Sequence, residues 1–517
     1  MNKNIVDGIH DVEETRLLTS LPSEYPEDLT QRIDKELRDR PKEMVVYLED
    51  DSTGVQKSHD VYLITDYTEQ GIRSGILAAR KAGHGLSFIL TNSRALSARQ
   101  AEELNRRTAL AITALARAED LTVRVGSRSD STLRGHFPLE PLVLMETIEP
   151  LIGKRFDGVI LSYAFLTEMS RITVNGVHLM RMRKGDGTHW YRPVHLTGFA
   201  KDRRFGYPTS DMAEYIEYKY ATSGLGNLKA RDILQVSLDT IRIGGPEEVK
   251  RRLMEAENQR IVTVDVVTPR DLQVIVLGLL MAEGEGKNYI YRSAASLAAA
   301  RVNMQDIPVL SIRDILGPGE RRLAGNILCL WGSIVELSNQ QLEAVLNQTG
   351  KTSAIKFDVR KVLDCYRSGE EVVVPAIKDV EYAFAKGRNA VVYTYPRTVY
   401  PAEELAEDVR AANEQKIASA LQEVYNRLST RPGAVIFKGG TTSSTGLFNC
   451  GARRVYVLGQ IAPGIPVVKI LPEDNERFPG QEMLIVIGPG NVGVQESYVS
   501  IFEKLTGEEA VRGSNTG

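Results

Sequence analysis

Short apolar runs that alternate with amphipathic helical stretches constrain this chain more than any other feature of its sequence. In the first part of the chain, runs without a helical period occur at residues 44–48, 59–65, 86–91, 121–126 and 156–162. The clearest helical stretch between them covers residues 98–118, where Ser97 is a predicted N-cap and Gln100 completes a capping box. Strands that alternate with helices predict a largely parallel sheet.

The same alternation restarts after a break rich in glycine and proline at residues 317–322, which we interpret as an inter-domain linker. Residues 180–225 are polar and irregular, whereas residues 233–243 and 261–267 have strand character. Beyond the linker, the runs that predict strands cover residues 327–331, 390–394, 434–437, 454–458, 466–470 and 483–487. The predicted fold class is therefore α/β, with two α/β domains, largely parallel sheets and an active site in the inter-domain cleft.

The length of 517 residues agrees with this division, because single hydrophobic cores stop growing well below that size. We expect a charged N-terminal extension over residues 1–42, peripheral to the core, and an N-terminal domain over residues 43–315. A C-terminal domain is expected over residues 323–508, followed by a flexible tail at residues 509–517.

The charge balance and the scarcity of cysteine exclude several classes of protein. The 64 basic and 67 acidic side chains leave a net charge of −3, without the basic stripe of a nucleic-acid-binding protein. The longest apolar runs, such as residues 274–281, are too short to span a bilayer, and residues 1–9 lack the apolar core of a signal peptide. Three scattered cysteines predict neither a disulfide framework nor a zinc site, which favours a cytoplasmic protein.

Polar residues directly follow three predicted strands of the first domain. Because ligands bind at the carboxyl ends of strands in open parallel sheets, these residues are the first candidates for a site. Arginine matches a carboxylate bidentately, aspartate, asparagine and serine suit sugar hydroxyls, and an aspartate beside a hydroxyl can accept its proton. Taken alone, residues 50–54 are more typical of a capped turn than of a site, and residues 128–136 are also compatible with a solvated, salt-bridged loop. Their shared position at strand ends favours a site. The three stretches are Asp50-Asp51-Ser52-Thr53-Gly54, Asn92-Ser93-Arg94 and Arg128-Ser129-Asp130-Ser131-Thr132-Leu133-Arg134-Gly135-His136.

Glycine-bearing loops follow three predicted strands of the second domain, and together they predict a nucleotide cradle. Glycine permits close approach of the backbone, and N–H groups at a helix N-terminus bind phosphate together with Ser and Thr hydroxyls. The last loop also fits the G-x-G-x-x-G dinucleotide fingerprint, but no strand is visible in the 24 residues after it, which disfavours an NAD-linked dehydrogenase. The loops are Gly332-Ser333, Lys438-Gly439-Gly440-Thr441-Thr442-Ser443-Ser444 and Gly488-Pro489-Gly490-Asn491-Val492-Gly493.

In these motifs the chain resembles the four-carbon acid sugar kinase family, and the resemblance runs in order from about residue 44 to residue 505. It implies an enzyme that uses ATP and Mg²⁺ to phosphorylate a hydroxyl of a small sugar acid such as threonate, erythronate or a 3-oxo-tetronate. It also implies that the N-terminal domain binds the acid sugar and the C-terminal domain binds the nucleotide. The expected partners are these small molecules, with no nucleic acid or membrane, and a homodimer is compatible with the sequence.

The resemblance and the strand-end positions together identify the candidate site residues. Asp51 is the candidate catalytic base and Asp130 its alternate, whereas the metal ligands stay unassigned. The substrate-binding candidates are Asp50, Asn92, Arg94, Arg128, Arg134 and His136. The nucleotide-binding candidates are Ser333, Gly439, Gly440, Thr441, Thr442, Ser443, Gly490 and Asn491.

The chain also departs from the family pattern. Ile334 and Val335 stand where the family often has Cys and Ser after Gly-Ser, so one hydroxyl contact is missing, and Ser52 stands where Pro or Leu is common. These departures leave the substrate open. The alternative function is a non-catalytic sensor that binds a sugar acid and a nucleotide without turning them over.

Overall fold

The computed structural model describes residues 10–167, 170–348, 351–364, 370–397 and 407–508. The predicted tail at residues 509–517 lies outside these ranges. The strands, numbered in chain order, are β1 (Val12–Glu13), β2 (Glu43–Glu49), β3 (Val61–Ile64), β4 (Leu86–Leu90), β5 (Thr122–Arg128), β6 (Gly158–Ser162), β7 (Arg171–Val174), β8 (Val177–Arg183), β9 (His189–Pro193), β10 (Leu234–Val236), β11 (Arg260–Val264), β12 (Tyr289–Ser293), β13 (Ile327–Trp331), β14 (Thr352–Asp358), β15 (Asn389–Tyr395), β16 (Ala434–Lys438), β17 (Arg454–Ala462), β18 (Ile465–Ile470) and β19 (Met483–Gly488).

The helices, numbered in the same way, are α1 (Glu14–Ser20), α2 (Thr30–Arg38), α3 (Glu69–Lys81), α4 (Ala98–Ala118), α5 (Leu139–Ile152), α6 (Met212–Ser223), α7 (Leu238–Arg242), α8 (Gly245–Met254), α9 (Pro269–Gly284), α10 (Ala295–Arg301), α11 (Ile312–Leu316), α12 (Glu336–Gln348), α13 (Val359–Leu363), α14 (Glu370–Ala385), α15 (Glu407–Asn426), α16 (Gly440–Phe448) and α17 (Ser497–Thr506). In the described part of the chain, none of them combines the length and the apolar character that crossing a bilayer requires.

The chain divides into two compact units, and the fold class predicted from the sequence is confirmed for each: both are α/β with largely parallel sheets. The first unit comprises the residues up to Lys57 together with Tyr67–Gln305. The second comprises Ser58–Asp66 and the residues from Asp306 on. The sequence predicted a single N-terminal domain over residues 43–315, and it gave no sign that a nine-residue stretch inside that range belongs to the second unit.

The main sheet of the first unit is parallel throughout, in the order β10-β11-β6-β12-β5-β2-β4. Its central strands are apolar on both faces because helices cover both sides, as in β2, where Met44 to Leu48 are all buried. Helix α4 begins and ends at the residues predicted, and both halves of the capping box between Ser97 and Gln100 are present. The strand predicted at residues 233–243 is wrong in its second half: β10 ends at Val236, and Ser237 then caps helix α7.

A second, antiparallel sheet in the order β1-β9-β8-β7 also belongs to the first unit. It corrects two expectations. Residues 180–225 contain the end of β8, all of β9 and all of α6, although their polar composition predicted irregular structure. The segment at residues 1–42 is not peripheral in its described part, because β1 pairs with β9 and Leu17, Leu29 and Ile33 are buried. A short apolar minority among many charges is sufficient to anchor such a segment.

The sheet of the second unit has the order β3-β17-β18-β19-β16-β13-β15-β14. The strands from β19 to β14 are parallel, whereas β3, β17 and β18 form an antiparallel edge. The core of this unit includes Trp331, Val486 and Phe502. Consequently, the carboxyl ends of β13, β16 and β19 lie side by side, and the glycine loops follow these three strands.

Candidate functional site

The sheet order of the first unit brings the three predicted polar stretches together. Strand β2 lies between β5 and β4, and its last residue, Glu49, is in register with Arg128 on one side and Leu90 on the other. The residues that follow these three strands therefore meet at one edge of the sheet. We call the group formed there by Asp50, Asp51, Arg94, Asp130 and Arg134 the acid–arginine cluster.

Arg94 lies at the centre of the cluster and binds both aspartates that follow β2. Its Nε and Nη2 donate to the two carboxylate oxygens of Asp50 at 3.1 and 2.5 Å, and its Nη1 lies 3.1 Å from Oδ2 of Asp51. Ser129 adds a hydrogen bond of 2.6 Å from its hydroxyl to Asp50. A bidentate arginine fixes the direction of a carboxylate as well as its charge. The cluster is therefore held in one geometry by its own side chains.

Gly135 permits this packing. Its φ of +124° lies in the region that favours glycine, and a Cβ atom at this position would lie 2.3 Å from the hydroxyl oxygen of Ser129. Any other residue here would displace the serine that holds Asp50.

Asp51, the predicted base, lies at the surface of the cluster with 21% of its side chain exposed. Its Oδ1 accepts hydrogen bonds from the backbone N–H and the hydroxyl of Thr53, at 2.8 and 2.9 Å. Burial alone would raise the pKa of this carboxyl, but the charge of Arg94 and the two bonds from Thr53 outweigh burial and lower it. Asp51 is therefore ionised at neutral pH and able to accept a proton, although it also caps its own turn.

Asp130, the alternate base, is held by residues of its own loop. It accepts hydrogen bonds from the hydroxyl of Thr132 and, at 2.6 Å, from Nε of Arg134. Burial opposes ionisation, but the charges of Arg134 and Arg94 lower the pKa of the Asp130 carboxyl well below its usual range.

Arg134 differs from Arg94 in having capacity left for a ligand. Its Nη1 lies 3.8 Å from Asp202, its guanidinium lies 4.9 Å above the ring of Phe199, and 26% of the side chain is exposed. Within the described part of the chain, its Nη2 makes no hydrogen bond. Arg134 therefore presents a cationic donor to solvent at the edge of the cluster.

Arg128 is buried beneath the cluster and pairs with a residue that the sequence analysis missed. Its Nη1 donates to Oε1 of Glu49 at 2.6 Å, and both side chains are almost fully buried. Gly54 packs directly on this carboxyl, since a Cβ there would lie about 2.0 Å from it. Glu49 was not among the predicted site residues. It is the last residue of an apolar strand, and in the sequence a single charged residue there looks like the first residue of the loop.

Burial raises the pKa of Glu49 to about 8, and the charge of Arg128 only partly offsets this effect. In the unfolded chain the same group titrates near pH 4.3. Between these pH values the folded protein holds a proton that the unfolded chain has lost. The contribution of Glu49 to stability is therefore complete below about pH 4.3 and is lost as the pH rises through its folded pKa.

We expect Glu49→Gln to remove part of the pH dependence of stability. In the wild-type protein, Glu49 lowers the free energy of unfolding by up to about 1.4 kcal/mol per pH unit between pH 5 and 8. Glutamine resembles the protonated carboxyl and does not titrate, so the variant should have a flatter profile. Urea unfolding at several pH values measures how steeply the free energy of unfolding changes with pH in the wild type and in the variant. The exposed Glu247→Gln is the control. Parallel profiles for Glu49→Gln and the wild type would contradict the raised pKa.

The structure does not bring the side chains of Asn92 and His136 into the cluster. A ring nitrogen of His136 lies 3.0 Å from the carbonyl oxygens of Ser93 and Leu96, and burial lowers the pKa of this ring. Asn92 has a φ of +50°, and its backbone N–H donates to the carbonyl of Glu49. Both residues shape the turn that carries Arg94. In the described part of the chain, no group of three or more His, Cys, Asp or Glu residues is placed to hold a metal ion.

In the second unit, a cavity of about 260 Å³ lies at the carboxyl ends of β13 and β16. Its polar wall contains the predicted residues Ser333, Gly439, Gly440, Thr441, Thr442 and Gly490. Gly439 has a φ of +124°, and helix α16 begins at the next residue, so the N–H groups of its first turn open towards the cavity. Backbone N–H groups and hydroxyls at a helix N-terminus form a site suited to phosphate.

The two other predicted nucleotide residues lie outside this wall. Ser443 is buried behind it, where its hydroxyl donates to the carbonyl of Phe437 at 2.9 Å. Asn491 is exposed and does not line the cavity. Beneath the loops, the buried ammonium of Lys438 donates to the carbonyls of Pro489 and Gly490, and so ties the loop after β19 to the loop after β16. Burial lowers the pKa of Lys438 to about 7.

The opposite wall of the cavity is apolar, and the sequence analysis did not assign it a role. It includes Ile334, Val335, Val359 and Ile417. Ile334 and Val335 are 43% and 44% exposed, so these adjacent side chains present an apolar surface to the cavity. The sequence did contain a sign of this apolar wall, because Ile334 and Val335 stand where the family often has Cys and Ser. An apolar wall of this kind suits the flat face of a nucleobase.

Comparison with known proteins defines the class of this chain. Residues 45–301 match the family model of a sugar-binding N-terminal domain, and residues 328–497 match that of a nucleotide-binding C-terminal domain. These two domains in this order are the architecture of one family. The chain belongs to the four-carbon acid sugar kinase family.

Solved structures share the fold at low sequence identity. A Haemophilus influenzae protein of a domain family of unknown function is 16% identical, with a TM-score of 0.58 over 89% of this chain and 100% of its own. A Salmonella typhimurium LT2 protein, provisionally described as a tRNA synthase, is 15% identical, with a TM-score of 0.60 over 88% of this chain and 98% of its own. None of the curated proteins matches the sequence.

Proposed function

We propose that this protein is an ATP-dependent kinase that phosphorylates a hydroxyl of a four-carbon sugar acid such as threonate, erythronate or a 3-oxo-tetronate. The observation that carries the proposal is the ionised, partly exposed carboxyl of Asp51 in a cluster of arginines. The same chain has a cavity walled by glycine loops and a helix N-terminus in its other unit. An acid–arginine cluster suits a small anionic polyol, and the cavity suits a nucleotide.

Arg134 is the proposed anchor for the substrate carboxylate. The guanidinium of Arg94 is occupied by Asp50 and Asp51, and that of Arg128 is buried against Glu49. Among the described residues, nothing accepts a hydrogen bond from Nη2 of Arg134, at the exposed edge of the cluster. The hydroxyls of the sugar acid would then face the carboxylate of Asp51, which can accept hydrogen bonds from them, whereas Asp50 is buried and bound by Arg94 and Ser129.

Arg134→Lys is expected to weaken sugar-acid binding about 10-fold and to leave ATP binding within about 2-fold, because lysine keeps the charge but loses the planar donor fork. Calorimetric titration with each ligand separately measures both affinities. The exposed Arg231→Lys, outside the cluster, is the matched control and should change neither. Equal losses of sugar acid and ATP in Arg134→Lys would argue against a carboxylate anchor at this residue.

In the second unit, the phosphates of ATP would lie against the first turn of α16, with the base against Ile334 and Val335. The hydroxyls of Thr441 and Thr442 and the backbone N–H group of Gly440 would donate to the phosphate oxygens, whereas the N–H of Gly439 already donates to the carbonyl of Gly488. Glu414 also lines the cavity and supplies a carboxylate. Mg²⁺ would be held chiefly by the phosphates, with the carboxylate of Glu414 and the hydroxyl of Thr441 as the protein ligands that fit. When bound, it would neutralise charge on the transferred phosphoryl group.

The proposed transfer is direct. An oxygen of the sugar acid forms a bond to the γ-phosphorus of ATP, the bond from that phosphorus to the bridging oxygen breaks, and ADP leaves with the electron pair. The hydroxyl proton passes to the carboxylate of Asp51. Both ligands must therefore be bound at once. Positioning and charge stabilisation supply most of the acceleration in such reactions.

The decisive experiment is a measurement of ADP release by the purified protein with ATP, Mg²⁺ and a panel of four-carbon sugar acids. Release that depends on one acid, with a phosphorylated product detected by mass spectrometry, would support the kinase. Binding of both ligands without ADP would identify a sensor instead. Five-carbon sugar acids and uncharged tetritols in the same panel test the requirement for the chain length and for the carboxylate.

A further inference from the structure

The first unit also contains a cavity of about 860 Å³ beside the acid–arginine cluster, and its lining includes Asp202, which lies 3.8 Å from Arg134. It is bounded by the first turns of α4, by the stretch that leads into α5, and by residues between Ala200 and Leu225. Of the predicted site residues only His136 lines it, and its ring is occupied by the backbone carbonyls of Ser93 and Leu96. The proposed kinase reaction gives this cavity no role.

Three exposed cations that line the cavity, Arg99, Lys201 and Arg203, form no ion pair within the described part of the chain. The two acidic residues of its lining are already occupied. Glu102 accepts a hydrogen bond from Arg106 at 3.0 Å, and Oδ1 of Asp202 accepts the backbone N–H groups of the two residues after Arg203. The cavity therefore has an excess of positive charge in a chain whose net charge is −3.

The floor of the cavity is largely aromatic and is held by hydrogen bonds. Phe205 and Tyr207 are buried, and the hydroxyl of Tyr207 donates to the carbonyl of Thr132 at 2.6 Å. The ammonium of Lys219, on a side chain that is itself buried, donates to the carbonyls of Phe205 and Gly206 at 2.9 and 3.1 Å. Tyr218 exposes 37% of its surface at the rim. The cations therefore stand above a preformed wall that can also contact carbon atoms.

We propose that this cavity binds an organic phosphate, with the phosphate group between Arg99, Lys201 and Arg203 and the carbon skeleton against the aromatic floor. Three such cations match the two negative charges and the several acceptor oxygens of a phosphate monoester better than the single charge of a carboxylate. The volume lies within the usual range for pockets that hold small ligands. The inference concerns a different site and does not rest on the proposed kinase activity.

Arg204, a further cation of the lining, has a structural role. Arg204 donates to the carbonyl of Leu96 and, at 3.4 Å, to that of Arg94, so it supports the turn that carries Arg94. A variant designed to test the cavity should leave Arg204 unchanged and alter only Arg99, Lys201 and Arg203.

Calorimetric titration with ribose 5-phosphate, ribose and inorganic phosphate tests the proposal on the full-length protein. The triple variant Arg99→Gln, Lys201→Gln and Arg203→Gln should bind ribose 5-phosphate at least about 10-fold more weakly than the wild type. The matched control is Arg16→Gln, Lys81→Gln and Arg117→Gln, which removes the same charge from exposed positions outside the cavity. It should stay within about 2-fold of the wild type. Thermal unfolding checks that both variants remain folded, as expected for changes at exposed side chains.

Unchanged affinity in the cavity variant, or an equal loss in the control variant, would overturn the proposal. Binding of ribose as tight as that of ribose 5-phosphate would also overturn it. The same holds if the wild type does not bind ribose 5-phosphate at millimolar concentration. Inorganic phosphate that binds as tightly as ribose 5-phosphate, with the same loss in the cavity variant, would assign the cavity to the free ion and overturn the part of the proposal that concerns the carbon skeleton.

Discussion

Asp51→Asn is expected to lower the rate of phosphoryl transfer by at least about 100-fold while both ligands still bind, because general bases contribute on the order of 100- to 10,000-fold. Asparagine keeps the oxygen that accepts the bonds from Thr53, and Arg94 remains held by both oxygens of Asp50. The turn should therefore survive, whereas the proton acceptor is lost.

Single-turnover kinetics at saturating ATP and sugar acid is the appropriate measurement, because it separates chemistry from binding. A carboxylate that only caps its turn predicts nearly normal turnover, since asparagine caps equally well. The variant Thr53→Val is an informative control: it removes the hydroxyl contact to Asp51 but leaves the carboxylate, so its rate should stay near that of the wild type. Turnover of Asp51→Asn within a few-fold of the wild type would transfer the role of base to Asp130.

Gly440→Val should abolish most ATP binding, with a loss of about 100-fold or more, because the branched side chain would enter the space proposed for the phosphates. The position suits the test. A Cβ at Gly440 meets no atom within 4 Å, and the backbone is not in the region reserved for glycine. The substitution should therefore fill the cavity without straining the fold.

Calorimetry with ATP and, separately, with the sugar acid measures the effect, and sugar-acid binding should change by less than about 2-fold. Gly185→Val is the matched control, since Gly185 is equally open and lies in an exposed turn of the first unit. Gly439→Val would be a poor choice, because its φ of +124° would destabilise the variant whatever it bound. Normal ATP affinity in Gly440→Val would show that the nucleotide binds elsewhere.

The sequence predicted those parts of the molecule that local patterns determine. The capping box at Ser97 and Gln100 and the extent of α4 follow from neighbouring residues alone, and both were predicted correctly. The strand-end rule likewise brought the residues after β2, β4 and β5 together, because it needs only that the strands are parallel and adjacent.

What the sequence could not predict depends on partners distant along the chain. The hydrogen bond from Arg128 to Glu49 joins residues 79 positions apart, and no local pattern indicates which side chain a buried arginine will meet. The antiparallel edge of the second unit was missed for the same reason, because β3 pairs with β17, a strand far along the chain. The roles of the site residues stay predictions, since geometry places side chains without identifying what they bind.

The position of β3 has a practical consequence for taking the protein apart. The chain leaves the first unit after Lys57, contributes β3 to the second, and returns at Tyr67. A fragment that starts at Asp306 would therefore lack an edge strand and expose the backbone donors and acceptors of β17, which invites aggregation. Separate production of the nucleotide-binding half calls for a synthetic gene that fuses residues 58–66 to it through a linker. A fragment truncated at the boundary between the two family domains could fail to fold or to bind a nucleotide. That failure would result from the missing strand β3 and would not show that the nucleotide-binding half is unable to fold by itself.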